Sequence, residues 1–166
     1  LPDSITEIDL DCFFGAKNLK HIVANGVTTF KGNNVFYDCA ELRDVSMPKL
    51  KNVTASAFKN CAKLHEIDFG ENLTEFKDSL FSGSGLMRGY FPNVRMTANT
   101  AKEVFRDCPI SYCYIPNVTS LSEGLFNGCE YLYDLTIGKV TSMYSKSLAE
   151  CSFITNLDTS EISLIG

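Results

Sequence analysis

Apolar positions recur along this chain at a fixed interval. An aromatic residue, a small residue three later, and two apolar residues at further steps of three give Phe36-Cys39-Leu42-Val45, Phe58-Cys61-Leu64-Ile67 and Phe126-Cys129-Leu132-Leu135 without a gap. Phe13-Ala16-Leu19-Ile22 and Leu148-Cys151-Ile154-Leu157 fit with substitutions. Phe81-Ser84-Leu86-Gly89 and Phe105-Cys108-Ile110-Cys113 fit once one residue before the third position is removed. The lead residues stand at 13, 36, 58, 81, 105, 126 and 148, a period of 21 to 24 residues. Repeats of this length are single supersecondary units that cannot cover their own apolar side and must stack.

Within each unit the pattern changes period. Val45-Ser46-Met47 and Ile67-Asp68-Phe69 alternate apolar with polar, which predicts a strand buried on one face, and Pro48 or Gly70 then ends it. A second short apolar pair follows, as in Val27-Thr28-Thr29-Phe30, Leu73-Thr74-Glu75-Phe76, Val118-Thr119-Ser120-Leu121 and Val140-Thr141-Ser142-Met143. It predicts a second strand or extended segment, with the Phe-to-Leu stretch a helical turn or short helix leading to the next main strand. The expected fold is therefore a repeat solenoid, α/β or mostly β. It is a right-handed stack of about seven units of 21 to 24 residues, with a parallel sheet on one face and strands about 4.8 Å apart. Residues 1–166 form one domain.

The period lies in the range of leucine-rich repeats and outside that of ankyrin, TPR or HEAT units. The pattern Phe-x-x-Cys-x-x-Leu-x-x-Ile-x-Ile-Pro-x-x-Val-Thr, visible from Phe36 to Pro48 and again in Asn117-Val118-Thr119, resembles the BspA-like class of leucine-rich repeats. The resemblance covers nearly the whole chain. It departs from the class in reading Thr54-Ala55-Ser56-Ala57-Phe58 and Phe76-Lys77-Asp78-Ser79-Leu80-Phe81 where Ile-Gly usually precedes Ala-Phe. It implies a non-catalytic repeat domain of secreted or cell-surface proteins, associated with adhesion to host proteins or other cells. The implied location is extracellular or at the cell surface.

Composition removes other classes. The chain is 45% hydrophobic and 21% charged, so it is globular, and its net charge of −5 argues against a phosphate backbone or an anionic membrane as partner. No apolar run approaches the roughly 20 residues of a membrane-spanning helix. Seven cysteines invite a disulfide, metal or thiol reading. Cys39, Cys61, Cys108, Cys129 and Cys151 share one repeat position, which Ala16 and Ser84 fill elsewhere. That is the signature of a small buried side chain, and parallel side chains on successive rungs do not aim at each other as a disulfide requires. Cys113 aligns with Val45 and points inward; Cys12 has no firm place. No pair of Cys-x-x-Cys motifs suggests zinc, so neither metal nor cofactor is expected. His21 and His65 sit at different repeat offsets, about 10 Å apart along the stack, and read as lone surface histidines. No phosphate loop, nucleophile elbow or His-Glu-x-x-His occurs, which leaves an enzyme only a remote alternative. Sequons at Asn52, Asn72 and Asn117 share, on this alignment, one position where the repeat consensus itself reads Asn-Val-Thr. Glycosylation is the weaker reading of them.

The outward column of the main strands is where function is expected. Burying Val45 and Met47 exposes the residues at the level of Asp44 and Ser46. The same pair in each repeat gives His21 and Val23, Asp44 and Ser46, Glu66 and Asp68, Arg88 and Tyr90, Tyr112 and Tyr114, Asp134 and Thr136, and Asn156 and Asp158. An acidic zone including Glu66 and Asp68 adjoins a tyrosine zone of Tyr90, Tyr112 and Tyr114, with Arg88 beside it and Tyr133 at its margin. Tyrosine and arginine together compose a protein-binding surface, and stacked tyrosines could equally hold a sugar ring. Cross-strand tyrosines that merely stabilise the sheet are the plain alternative. The expected partner is a protein or glycan on a host or neighbouring cell. A passive stalk or spacer is the competing function. The chain starts and stops inside repeats without polar caps, which suggests a segment of a longer array and permits end-to-end self-association through open edges.

Overall fold

The computed structural model describes residues 1–154 and the backbone of 156–157. Eleven short strands are assigned: β1 Glu7–Ile8, β2 His21–Val23, β3 Thr29–Phe30, β4 Asp44–Ser46, β5 Glu66–Asp68, β6 Arg88–Tyr90, β7 Tyr112–Ile115, β8 Ser120–Leu121, β9 Asp134–Ile137, β10 Ser142–Met143 and β11 Asn156–Leu157. Strands β2, β4, β5, β6, β7, β9 and β11 are the main strands, one per repeat, and every pairing is parallel. The register follows the repeat alignment, with Ile22 beside Val45 beside Ile67, and Gly89 beside Cys113 beside Leu135. A parallel solenoid with its sheet on one face is thus the observed architecture. The second extended segment is patchier. Ladders β1–β3 and β8–β10 form there, with isolated bridges at Thr29–Asn52 and Met96–Val118, and Leu73–Phe76 forms no strand.

No helix forms among the described residues, so the fold is mostly β rather than α/β. The Phe-to-Leu stretch is instead a pair of left-handed corners that bracket each aromatic residue. The residue before the Cys position has positive φ in every unit: Gly15 at 64°, Asp38 at 58°, Asn60 at 59°, Gly83 at 67°, Asp107 at 56°, Gly128 at 76° and Glu150 at 62°. A second column lies two residues before the lead position and includes Asn34, Ser56, Ser79 and Gly124. A left-handed residue cannot continue a right-handed helix. It turns the backbone outward so that amides bond to the next unit: Phe36 N–H donates to Ala57 (2.8 Å), Phe58 to Leu80 (2.9 Å) and Phe81 to Val104 (2.9 Å). Ladder bonds between units thereby replace helical bonds within one.

The core is a column of wholly buried phenylalanines. Centroids stand 5.2 Å apart from Phe36 to Phe58, 5.7 Å from Phe58 to Phe81, 5.7 Å from Phe81 to Phe105 and 5.2 Å from Phe105 to Phe126, all near parallel. The cysteine column runs beside it as free thiols. Each thiol donates to the carbonyl of the lead residue one unit earlier: Cys39 to Phe13 (3.0 Å), Cys61 to Phe36 (3.0 Å), Cys108 to Phe81 (3.0 Å), Cys129 to Phe105 (2.9 Å) and Cys151 to Phe126 (3.2 Å). Each of these carbonyls already accepts the backbone N–H three residues on, as Phe36 does from Cys39 (3.2 Å), so the thiol adds a second, weak bond at a position chosen first for small size, since Ala16 and Ser84 also fill it. Burial holds every ladder thiol in its neutral form by raising its pKa, that of Cys108 to about 12 and that of Cys151 to about 11. Cys113 is buried in the strand column as expected, and Cys12 is exposed.

The main sheet is interrupted once. Strands β2–β4–β5 form one sheet and β6–β7–β9–β11 another, with no pairing between β5 and β6. The break falls at Gly89, a glycine where the other units place a larger inward side chain, and it leaves Ile67 only half-buried. A strand-interior glycine gives its neighbour nothing to pack on. Phe91 and Cys113 crowd the vacated space, since a Cβ on Gly89 would stand 2.8 Å from the Phe91 ring. Across the break the corner bonds of Ser56 to Asp78 (2.9 Å), Phe58 to Leu80 (2.9 Å) and Asn60 to Ser82 (2.9 Å) persist, as does the phenylalanine column.

Candidate functional site

Parallel, in-register strands carry the outward side chains into columns, and the pleat aims alternate residues at solvent. On the second sheet this juxtaposes Arg88 with Tyr112 and Tyr90 with Tyr114. The Tyr90 and Tyr114 rings stack at 5.1 Å and 11°, and the Arg88 guanidinium lies 5.4 Å from the Tyr112 ring centre, a cation–π contact. Tyr90 is 59% exposed, whereas Tyr112 and Tyr114 are half-buried. Partial burial, and next the Asp134 carboxylate one strand on, raise the Tyr112 phenol pKa, so it remains a neutral donor. Tyr133 is 54% exposed and precedes β9; among the described residues it stacks on no other ring. Four of the sequence-derived residues, Arg88, Tyr90, Tyr112 and Tyr114, therefore form one interlocked patch, with Tyr133 beside it. Asp158 lies outside the described residues.

On the first sheet a groove of about 480 Å³ runs over β2, β4 and β5 and reaches Arg88 of β6. Glu66 and Asp68 line it, as do His21, Asp44 and His65. The two histidines are not isolated, contrary to the sequence expectation. His21 Nδ1 hydrogen-bonds Asp44 Oδ2, and His65 Nε2 lies 3.7 Å from Asp44 Oδ1. His65 also keeps its Nδ1 2.9 Å from the Lys63 carbonyl. Different offsets converge because His21 shares the outward column with Asp44, while His65, one residue before β5, reaches it from the strand entry. The register of His21 against Asp44 was the signal available in the repeat alignment. Among the described residues no set of three or more Cys, His, Asp or Glu is arranged to hold a metal ion.

The sequons divide. Asn72 and Asn117 donate their side-chain amides to the carbonyls of Pro48 (3.0 Å) and Pro92 (2.6 Å) in the preceding unit, a bond that Asn93 also makes to Glu71 (2.8 Å). Asn52 instead pairs with Thr29 in the second extended column, so it is not at the equivalent position. Its apparent equivalence came from the Asn-Val-Thr string, but Lys49-Leu50-Lys51 between Pro48 and Asn52 places it three residues further on.

Of the solved structures, a leucine-rich repeat protein of T. pallidum matches with a TM-score of 0.80 and 26% identity, over 89% of this chain and 71% of that one. A leucine-rich repeat protein of Bacteroides ovatus matches in fold with a TM-score of 0.52 and 18% identity, over 91% of this chain and 57% of that one. No curated protein matches the chain. The family model of the BspA type leucine-rich repeat region matches residues 1–101 and 98–166 in six copies, and the corner, Cys and strand columns described above are what that repeat builds, so the chain belongs to the BspA type leucine-rich repeat family.

Proposed function

We propose that this domain is a non-catalytic adhesion module, at the cell surface or outside the cell, that binds a macromolecule through its main-strand face. The supporting observation is the aromatic patch. Tyr90 and Met87 are more than half exposed beside Tyr112 and Tyr114, on a sheet face that no other part of the described chain covers. Exposed tyrosine with arginine is the composition of interaction hot spots. The stacking also favours protein over glycan. A sugar ring packs on an open aromatic face, and Tyr90 and Tyr114 each give up one face to the other, so the stacked pair offers less open aromatic area than two separate rings would. A protein partner can use the remaining faces, edges and hydroxyls together.

The experiment is a binding screen of the wild-type domain against extracellular-matrix proteins and glycan arrays, with Tyr90→Ala/Tyr114→Ala as comparator. The double variant is expected to retain the wild-type circular dichroism spectrum and to bind the partner at least 10-fold more weakly, since hot-spot truncations cost upward of about 2 kcal/mol. Undiminished binding by a folded double variant excludes the patch, and a hit confined to glycans overturns the protein preference. The passive-spacer reading requires that nothing binds this face at all.

A further inference from the structure

The strand face has two unlike halves joined at Arg88, and that junction indicates what the partner carries. Asp44 is already engaged by His21 and His65. Glu66 and Asp68, on the next strand, have no Lys, Arg or His nitrogen within 4.0 Å among the described residues. Among the described residues Asp68 accepts only from the Gly70 N–H (3.0 Å) and the Ser46 hydroxyl (3.5 Å). Arg88, one strand further on, lies over the Tyr112 ring instead of pairing with either carboxylate. The groove over the first sheet thus carries three carboxylates, Asp44, Glu66 and Asp68, against the single arginine at its edge, an excess of negative charge immediately beside an exposed aromatic patch.

Spacing completes the picture. Across the unpaired seam the Phe58 and Phe81 rings stand 5.7 Å apart, and half of the 5.1 Å between Tyr90 and Tyr114 brings the span from β5 to the middle of that pair to about 8 Å, within reach of a flexible cationic stem. Residues i and i+2 of an extended peptide lie on one side, about 6.6 Å apart. We propose, resting on the reading of the strand face as the binding face, that its occupant is an extended polypeptide segment of pattern cation-x-apolar. The lysine or arginine sits over Glu66 and Asp68, and the apolar or aromatic side chain two residues on packs against Tyr90 and Tyr114. Charge complementarity selects the first position and desolvation of the ring edges the second.

The probe is a synthetic heptapeptide with blocked ends, Gly-Ser-Lys-Ser-Phe-Ser-Gly, and its charge-inverted form with Glu in place of Lys. Each is titrated into the ¹⁵N-labelled domain and followed by amide chemical shifts. The Lys peptide is expected to move amides of β5, β6 and β7 together, about 10-fold more tightly than the Glu peptide. Glu66→Gln/Asp68→Asn is expected to abolish that preference, and so is 0.5 M salt, while the Phe contact remains. Equal binding of the two peptides at the tyrosine strands overturns the cation assignment and leaves the strand-face reading standing. Binding away from the main strands, or none by either peptide, overturns this proposal. The strand-face reading itself falls only if the Tyr90→Ala/Tyr114→Ala variant binds the screened partner as well as wild type does.

Discussion

Phe81→Ala tests how the two halves of this solenoid are coupled. The ring is wholly buried and stacks at 5.7 Å on both Phe58 and Phe105. Removing a buried phenylalanine costs about 4 kcal/mol, from lost transfer and the cavity left behind, against a total stability on the order of 10 kcal/mol. Where that cost is felt matters more than its size. Between β5 and β6 the main sheet has no ladder, so the halves are held by the ring contacts Phe58–Phe81, Phe69–Phe81, Phe76–Phe91 and Phe76–Phe105, together with corner and loop hydrogen bonds; Phe81 makes two of those ring contacts and Phe105 one. Phe105→Ala removes an equally buried ring, stacked at 5.7 Å and 5.2 Å, but at a level where β6 and β7 remain hydrogen-bonded. Both variants are expected to lose similar stability, and only Phe81→Ala to unfold in two steps. Urea titration separates the outcomes because the chain lacks tryptophan and six of its seven tyrosines lie from Tyr90 to Tyr144. Tyrosine fluorescence therefore reports the second half while far-ultraviolet circular dichroism reports both. Coincident transitions with the wild-type m-value in Phe81→Ala, or a split only in Phe105→Ala, would refute this account of the seam.

Other consequences follow from the corners and the thiols. Gly128→Ala places a Cβ at φ 76° against the Asp107 side chain and is expected to destabilise by about 1–2 kcal/mol in chemical denaturation. A thiol reagent is expected to modify Cys12 rapidly in the native domain, and the buried Cys39, Cys61, Cys108, Cys113 and Cys129 only as fast as the domain opens; rapid labelling of any of these five contradicts their burial. The ladder thiols hold their protons more tightly when folded than when unfolded. Their contribution is therefore complete below about pH 9 and is lost as pH rises toward the folded values, about 12 for Cys108. By pH 11 that amounts to roughly 3 kcal/mol for a thiol shifted this far. The urea midpoint should accordingly fall between pH 9 and pH 11, and less steeply in Cys108→Ala. An alkaline loss of equal slope in that variant rules the thiol out as its source.

The repeat made much of this protein legible before any coordinates. A fixed period forces like residues into columns, so aligning Val45 with Ile67 and Cys113 with Leu135 already stated the strand register. Aligning Arg88-Gly89-Tyr90 with Tyr112-Cys113-Tyr114 likewise stated the outward patch. Periodicity is a property of spacing, and spacing is fully contained in the sequence. The corners were half legible: Gly15, Asp38, Asn60, Gly83, Asp107 and Gly128 form a column of residues tolerant of positive φ, yet the three-residue steps around them imitate a helix. Only the tertiary structure decided three matters. The sheet breaks at Gly89 because pairing depends on what the inward side chain packs on in the neighbouring unit. His21 and His65 meet on Asp44 because long side chains cross between columns that the alignment keeps apart. Asn52 leaves the company of Asn72 and Asn117 because loop length, and not a local tripeptide, sets where a residue falls on the next rung.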